Sequence, residues 1–273
     1  MKPDDSGLLL GQHTPVAQQY SPQLLHPIPR INARRDLGLG ETLPFHGVDQ
    51  WHAYEMSWLD VAGKPVVSVG RFQVPADSPN IVESKSFKLY LNSLNSMRFS
   101  SEEAARATIV ADIGAVAGAD VTLALFPVGD PVLAGATLSG DSLDDQPLAP
   151  WKGEPQAAQL QIQAGAVVEE TVYSHLLRSL CPVTGQPDWA TVWLHYRGAE
   201  IERSSLLQYI IAYREHQEFH EQCVERMFCD ISSRCTPEFL HIQAFYTRRG
   251  GMDINPFRST GSSARALPRL DRQ

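Results

Sequence analysis

The feature that most constrains the fold of this chain is an order of predicted elements that occurs twice in its 273 residues. Alternating apolar and polar residues predict strands, and the spacing of Phe87, Leu91 and Leu94 predicts a helix. The predicted elements of the first half are strands at 51–60 and 66–74, helices at 83–94 and from 100 to about 118, and strands at 121–128 and 160–163. Those of the second half are strands at 171–177 and 190–196, helices at 203–214 and 218–229, and a strand at 239–246. This order indicates an α+β fold built from β-β-α-α-β-β modules.

The two halves also resemble each other residue by residue. When the sequence is shifted by 119 positions, identical residues coincide, among them Glu83 with Glu202, Ser86 with Ser205, Tyr90 with Tyr209 and Glu102 with Glu221. Other polar groups occur in one half only, since Cys181 aligns with Ala62 and His220 aligns with Ser101. Chance similarity between two α+β stretches is one interpretation. The other is a duplicated module whose single site is divided between the two copies.

The chain divides into three parts by composition. Residues 1–50 are rich in Pro, Gln, His and Gly and lack a sustained period, so we expect an N-terminal arm there. We place the first module at 51–165 and the second module, which carries Cys181, at 166–273. The end of the chain after Gly250 is rich in Gly, Ser and Arg, and we predict no further element in it.

Charge and apolar content argue against several classes of protein. The formal net charge of -8 disfavours general binding to nucleic acid or to an anionic membrane, because both require a basic face. No apolar run approaches the length that spans a membrane, and Leu8-Leu9-Leu10 is too short for a signal peptide. Four cysteines are too few for a disulfide scaffold in a chain of this length. We therefore expect a soluble cytoplasmic protein.

A thiol and a carboxyl group lie seven residues apart, at Cys181 and Asp188. The segment Thr184-Gly185-Gln186-Pro187 between them favours a turn, because Gly tolerates positive φ and Pro lacks a backbone donor. The predicted strand at 190–196 follows at once, so we expect this loop at a sheet edge, where reactive groups are often displayed. The alternatives are a buried structural cysteine and an aspartate that caps the turn.

Five stretches of sequence together carry a family resemblance. They are PFHGVDQW at 44–51, ESKSFKLY at 83–90, CPVTGQPD at 181–188, FHE at 219–221 and YTRRGGMDINP at 246–256. In this order they resemble the 7-cyano-7-deazaguanine reductases, the NADPH-dependent nitrile reductases of queuosine biosynthesis, in their two-module form. The resemblance implies the tunnelling fold, in which antiparallel sheets from several modules close into a barrel with helices outside and sites at module interfaces. Closing a barrel from two-module chains requires at least two of them, so we expect a homodimer.

The resemblance assigns Cys181 as the nucleophile and Asp188 as the acid. A thiolate that adds to a nitrile carbon forms a covalent thioimide, which divides one difficult reduction into easier steps. The nitrile nitrogen must gain protons while its carbon gains sulfur or hydride, and Asp188 is the nearby acid. We expect the apolar neighbours Pro187 and Trp189 to desolvate this carboxyl group.

The resemblance places Val82, Glu83, Ser84, His220 and Glu221 in the substrate pocket. A guanine-like edge presents a ring N–H and an exocyclic amine, and one carboxylate accepts both hydrogen bonds. Glu83 and Glu221 are the candidates for this contact, and His220 for contact with the heterocycle or for proton transfer. From position alone, Glu83 is an acid stabilised by a helix N-terminus, and His220-Glu221 is a solvated helix face.

NADPH is the expected cofactor, although no Gly-x-Gly-x-x-Gly motif follows a predicted strand. Cationic side chains and exposed backbone must then hold its phosphates. The resemblance points to Ser84, Lys85, Arg249 and Gly250, whereas a basic turn is by itself typical of a solvated surface. We expect no metal, because the cysteines at 223, 229 and 235 match no common zinc spacing and residue 184 is Thr and not His.

Three functions follow from these residues. We expect NADPH-dependent reduction of the nitrile of a deazapurine, 7-cyano-7-deazaguanine, to an aminomethyl group. A cysteine hydrolase or amidohydrolase would convert a nitrile or amidine with water, and would release ammonia without consuming a nicotinamide. A purine- or pterin-binding module on the same fold would have lost the chemistry, and would be insensitive to Cys181→Ala.

Overall fold

The computed structural model describes residues 19–149 and 153–273, which separate into two compact units. Among the described residues, the first unit contains 19–32, 50–133 and 248–253, and the second contains 33–49, 134–149, 153–247 and 254–273. The Leu8-Leu9-Leu10 stretch lies outside the described residues. Within the described ranges, no helix is long and apolar enough to cross a membrane.

The first half of the chain forms six strands and three helices within the described residues. They are β1 (Pro27–Pro29), α1 (Arg30–Asp36), β2 (His46–Leu59), β3 (Pro65–Pro75), β4 (Asn80–Val82), α2 (Ser84–Ser93), α3 (Glu102–Ala117), β5 (Thr122–Phe126) and β6 (Asp141–Ser142). In the first unit, β3 lies between β2 and β5, and β1 pairs antiparallel with β4. The ring of Phe87 on α2 packs 5.3 Å from Trp51 and 5.0 Å from Phe72, so the helical spacing around Phe87 faces the core.

Within the described residues, the second half of the chain forms four strands and two helices. They are β7 (Ile162–Leu180), β8 (Pro187–Ile201), α4 (Arg203–Ile211), α5 (His220–Cys235), β9 (Phe239–Tyr246) and β10 (Met252–Ser259). In the second unit the strand order is β10-β9-β8-β7-β6, antiparallel except for the β6–β7 pair. α5 packs against β9 and buries Val224, Phe228 and Ile231 at helical intervals. The predicted α+β class with antiparallel pairing is confirmed.

Two strand predictions are wrong. The strand predicted at 160–163 is not a separate element, because Ile162 begins β7 and pairs with Ile201 of β8. The register shifts between Ile162 and Val167, where Gly165 has a φ of +97°, so the alternation is interrupted although the strand continues. The prediction of no further element after Gly250 is also wrong, since β10 follows this residue and every residue of β10 is buried.

The helices α2 and α4 begin with the same cap. The two carboxylate oxygens of Glu83 accept hydrogen bonds from the second and third backbone amides of α2, at 2.9 and 2.6 Å. Those of Glu202 accept from the corresponding amides of α4, at 3.0 and 2.6 Å. Both carboxylates satisfy donors that a helix start otherwise leaves without partners. Matching geometry at two residues related by the 119-residue shift supports the duplicated-module interpretation.

Candidate functional site

The residues predicted to act together fall into two groups, and each group is described within its own unit. The first unit holds Val82, Glu83, Ser84, Lys85, Arg249 and Gly250. The second unit holds Cys181, Asp188, His220 and Glu221.

Cys181 lies in the loop that joins β7 to β8. The hairpin closes where Leu180 pairs with Pro187. Within the loop, the amide of Cys181 donates to the carbonyl of Gln186 at 2.9 Å, and the amide of Gly185 donates to the carbonyl of Cys181 at 2.9 Å. Gly185 has a φ of +67°, which explains a glycine there. The predicted turn is therefore present, and it holds Cys181 with only 5% of the residue exposed.

A charged cluster supports the base of this loop. The amide of Leu180 donates to the carbonyl of His216 at 2.8 Å, and Nε2 of His216 lies 2.9 Å from a carboxylate oxygen of Glu218. Nδ1 of His216 contacts Glu154, and Glu218 also accepts from Arg226. Burial opposes the charge of His216, but its hydrogen bonds to Glu218 and Glu154 prevail and raise its pKa. The pKa of Glu218 is lowered, because its hydrogen bonds to His216 and Arg226 outweigh desolvation.

Asp188 faces the interior near the start of β8 and is 6% exposed. Its Oδ2 lies 3.2 Å from Nε2 of His220, the first residue of α5. The expectation that Pro187 and Trp189 desolvate Asp188 is wrong, because successive side chains of a strand point to opposite faces. Pro187 is exposed and Trp189 is 38% exposed, with two arginine guanidinium groups 5.6 and 5.4 Å from the Trp189 ring.

The ring of His220 stacks flat against Tyr246, with centroids 3.7 Å apart and an interplanar angle of 8°. Burial raises the pKa of Tyr246 well above its usual value, so this ring is a neutral platform. Nδ1 of His220 is buried and has no hydrogen-bond partner among the described residues. Glu221 is also buried. The interpretation of His220-Glu221 as a solvated helix face is therefore wrong.

In the first unit, Glu83 is fully buried between β4 and α2. Its amide donates to the carbonyl of His26 at 2.9 Å, and the amide of His26 donates to Oγ of Ser86 at 3.0 Å. Val82, which is buried, pairs with Pro27 of β1. The segment predicted as an arm thus fixes Glu83 from its backbone side. Each carboxylate oxygen that caps α2 keeps a further lone pair, so the cap and a ligand contact are compatible.

Arg249 and Gly250 lie in a tight turn that leads into β10. The amide of Arg249 donates to the carbonyl of Met252 at 2.9 Å, and Gly250 and Gly251 have φ values of +56° and +77°. Two consecutive positive φ angles are the pattern of a type I′ hairpin turn, which explains the pair of glycines. The carbonyl of Gly251 accepts from the amide of Tyr54 on β2 at 2.9 Å, so the turn is tied to the sheet.

A buried group that sequence reasoning missed anchors this turn. Asp253 accepts from the hydroxyl of Tyr54 at 2.5 Å, and its other carboxylate oxygen lies 2.8 Å from Nδ1 of His52. The guanidinium of Arg248 lies 4.2 Å from the centroid of the Tyr54 ring. His52 and Tyr54 share one face of β2, and this two-residue spacing of polar side chains on a strand is the signal that could have found them.

In the first unit, the groups that can hold NADPH phosphates are cationic side chains and accessible backbone amides. Ser84 and Lys85 form the first turn of α2 and are half-buried, as is Arg249, while Gly250 is exposed. A helix start and a lysine both favour an anion. Within the described residues, no three His, Cys, Asp or Glu side chains are arranged to hold a metal ion.

Family profiles and solved structures match this chain. A profile described as "Nitrile reductase, 7-cyano-7-deazaguanine-reductase N-term" matches residues 16–125, and one described as "QueF-like protein" matches residues 187–265. The crystal structure of the archaeosine synthase QueF-Like in the apo form covers 36% of this chain and 98% of its own, at 16% identity and a TM-score of 0.31. That similarity is too low to inform the fold.

Three bacterial relatives match almost the whole chain, and each is named NADPH-dependent 7-cyano-7-deazaguanine reductase. The Stenotrophomonas maltophilia (strain K279a) protein is 56% identical over 94% of this chain and 93% of its own. The Dechloromonas aromatica (strain RCB) protein is 53% identical over 93% and 91%. The Chromohalobacter salexigens protein is 50% identical over 97% and 96%. On this similarity, the chain belongs to the family of NADPH-dependent 7-cyano-7-deazaguanine reductases.

Proposed function

We propose that this chain reduces the nitrile of 7-cyano-7-deazaguanine to the amine of 7-aminomethyl-7-deazaguanine with NADPH, in queuosine biosynthesis. Relatives with at least 50% identity are named for the reductase activity. The structural observation that carries the proposal is the β7–β8 hairpin. It holds a buried thiol, Cys181, and a buried carboxyl group, Asp188, on the two sides of one loop.

Cys181 begins the reaction as a thiolate. Its sulfur forms a bond to the nitrile carbon while one π bond between carbon and nitrogen breaks, and the nitrogen takes a proton from Asp188. The product is a thioimide on Cys181. Because Cys181 is only 5% exposed, the loop limits the access of water to this adduct. Exclusion of water favours reduction over the hydrolase alternative.

NADPH, when bound, supplies one hydride for each of the two reductive steps. Cys181 leaves as thiolate after the first, so that an imine remains, and the second yields the amine. Asp188 gives a proton to the nitrogen in these steps. Nε2 of His220 is 3.2 Å from Asp188, close enough to restore its proton. The complete reduction consumes two hydrides and two protons per nitrile.

Glu83 recognises the guanine-like edge of the substrate in this proposal. Its two oxygens are held in place by backbone amides at 2.9 and 2.6 Å, and they accept from the ring N–H and the exocyclic amine. Val82 and Ser84 flank this carboxylate. His220 and Glu221 contact the heterocycle, and the buried Nδ1 of His220 is the atom left for that contact.

We also propose that the two halves are tunnelling-fold modules and that the active form is a homodimer whose sheets close into a barrel. The repeated glutamate caps support the two related modules, and the antiparallel strand pairing is the pairing that such a barrel requires. In this proposal the enzyme acts on the free deazapurine and not on nucleic acid. It works in the cytoplasm, whose reducing conditions suit its four free cysteines. Light scattering should give twice the chain mass of 30.2 kDa.

The test is covalent capture of the substrate without the cofactor. Incubation with 7-cyano-7-deazaguanine alone should add the mass of one substrate to a peptide containing Cys181, and NADPH should then remove it. Cys181→Ala should lose both the adduct and turnover, whereas Cys229→Ala, a change at another free cysteine, should keep both. Turnover by Cys181→Ala would refute the proposal. Ammonia release without NADPH consumption would favour the hydrolase.

A further inference from the structure

We infer that Tyr246 is a positioning residue for the proton transfer between His220 and Asp188, and that its ring, not its hydroxyl, carries this role. Tyr246 is 1% exposed and ends β9. The inference rests on the proposed reduction, in which His220 restores the proton that Asp188 gives to the substrate nitrogen. The proton passes from Nε2 to Oδ2, so a carboxylate becomes a carboxylic acid and an imidazolium becomes an imidazole. The imidazole takes its next proton from water, since the His220 side chain is 16% exposed.

The ring of Tyr246 covers one face of the His220 imidazole. The two ring centroids lie 3.7 Å apart with an interplanar angle of 8°. The torsion that turns a histidine ring about its Cβ–Cγ bond has a broad profile, so a packed neighbour is needed to fix the plane of the ring. With its plane fixed by the stack, the imidazole keeps Nε2 at 3.2 Å from Oδ2 of Asp188.

Tyr246 is itself held at both its backbone and its hydroxyl. Its backbone pairs with Ala190 of β8, and the side-chain amide of Gln273 donates to its carbonyl at 3.0 Å. Its hydroxyl lies beside the side chains of Ser179 and Cys223. A platform fixed at both ends can hold a stacked ring in one orientation, which is what a proton transfer over a short distance requires.

The neighbours of the Tyr246 hydroxyl lie next to the groups that the ring positions. Ser179 on β7 pairs with Asp188 across the β7–β8 hairpin. Cys223 follows His220 by three residues on α5, so the two share a face of the helix. Tyr246 thus contacts the helix that carries the histidine and the strand that pairs with the aspartate, and it fixes these elements against each other.

The two halves of the chain differ at the position of Tyr246. The glutamate cap, which holds the fold of a module, occurs in both halves with the same geometry. The 119-residue shift that relates the caps aligns Tyr246 with Pro127, just as it aligns His220 with Ser101. A tyrosine needed only to build the module would be expected in both copies. Tyr246 therefore belongs with Cys181 and His220, the groups that one half alone possesses.

The test separates the ring of Tyr246 from its hydroxyl. Tyr246→Leu removes the stack, and kcat for NADPH oxidation should fall by about 10- to 100-fold, less than the loss of a positioned acid, because Asp188 is still present. The Cys181 adduct should still form without NADPH, since it uses only the proton that Asp188 already holds. Tyr246→Phe keeps the stack and should retain most of kcat. Equal losses of kcat in the two variants would assign the effect to the hydroxyl and overturn the inference.

Tyr196→Leu is the matched control for loss of core packing. Tyr196 is a fully buried tyrosine of β8 whose hydroxyl donates to Glu170. Its replacement should lower the melting temperature about as much as Tyr246→Leu does, but it should leave kcat unchanged. A loss of kcat as large as that of Tyr246→Leu would show that destabilisation explains both variants, and the inference would fail.

If Tyr246→Leu does not fold, the NMR signals of the His220 ring protons decide. An imidazole that lies flat on a phenyl ring has its ring protons shifted upfield, so the shift should be present in the unchanged chain and in Tyr246→Phe. The signals are assigned by their loss in His220→Gln. Ordinary shifts in the unchanged chain would overturn the inference.

The outcomes for the proposed reduction and for Tyr246 are distinguishable. Failure of the unchanged chain to form the Cys181 adduct would count against the proposed reductase. Normal adduct formation together with equal kcat in the unchanged chain and Tyr246→Leu would count against the role of Tyr246 alone.

Discussion

Nε2 of His220 lies 3.2 Å from Oδ2 of Asp188, and the imidazole ring is held flat against Tyr246. His220 opens α5 while Asp188 lies on β8, so the contact joins two elements of the second unit. The stacking fixes the plane of the ring and directs Nε2 at the carboxyl group. In the proposed mechanism this arrangement supplies Asp188 with the proton that it gives to the substrate nitrogen.

Asp188→Asn removes the acid and keeps the size of the side chain. We expect the rate of NADPH oxidation to fall by about 10²- to 10⁴-fold, the typical contribution of a positioned acid, and the thioimide on Cys181 to form more slowly but still to accumulate when NADPH is absent. Absorbance of NADPH and intact-protein mass spectrometry measure the two quantities. Asp120→Asn, at an exposed aspartate, should affect neither. Unchanged rates of adduct formation and of NADPH oxidation in Asp188→Asn would contradict the role assigned to this residue.

The repeated caps give an internal control for Glu83. Glu83→Gln and Glu202→Gln both turn a carboxylate that accepts two backbone amides into a group with one acceptor oxygen, so each should lower the free energy of unfolding by about 1 kcal/mol. Glu83→Gln alone should weaken binding of the deazapurine, because its amide cannot accept from both donors of the guanine edge. Urea unfolding and calorimetry test the two effects. Equal substrate affinity in both variants would remove Glu83 from the substrate pocket.

The sequence predicted those elements whose signals are local. The helix predicted from 100 to about 118 is α3, because Ser101 caps it with a hydrogen bond from the amide of Ala104 at 3.1 Å and Gly118 ends it with a φ of +72°. The family resemblance and the NADPH cofactor are confirmed by the named relatives. The roles of individual site residues and the module boundaries stay predictions.

The sequence could not predict features that depend on distant partners. β10 was missed because Asp253, Asn255 and Arg258 break the apolar pattern of a buried strand, and only the fold supplies their partners. Arg258, for example, lies 2.8 Å from a carboxylate oxygen of Asp49. The environment of Asp188 was misjudged for the same reason, since its neighbours in sequence face away and His220 lies on another element.

The buried charges of the second unit should matter for stability. Glu225 is buried and accepts hydrogen bonds from Arg34 at 2.7 Å and from Arg258 at 2.8 Å. Glu225→Gln leaves two buried guanidinium groups without their shared carboxylate, so the free energy of unfolding should fall by about 3–5 kcal/mol. Glu103→Gln breaks the exposed pair with Arg106 and is the control, for which urea unfolding should show little change. Equal effects of the two changes would show that the buried cluster contributes no more than a surface ion pair.

The pair of His216 and Glu218 at the base of the Cys181 loop should make stability depend on pH. The pKa of His216 is raised from its usual 6.5, so its contribution is complete below that value and is lost as pH rises through the folded-state pKa. The pKa of Glu218 is lowered from its usual 4.5, so its contribution is present above that value and is lost as pH falls through the folded-state pKa. Both contributions to stability are therefore present between the usual pKa values of 4.5 and 6.5, in mildly acidic solution.

The pH dependence is tested by comparing melting temperatures of the unchanged chain and His216→Gln from about pH 5 to 8, the range in which histidine titrates. At the acidic end, the unchanged chain should have a higher melting temperature than His216→Gln. This difference between the two proteins should shrink as pH rises. The protection factor of the Leu180 amide, which donates to the His216 carbonyl, should fall over the same range only in the unchanged chain. His46→Gln, at an exposed histidine, should give no such trend. A difference between the unchanged chain and His216→Gln that stays constant with pH would mean that His216 supports the loop by packing and not by its charge.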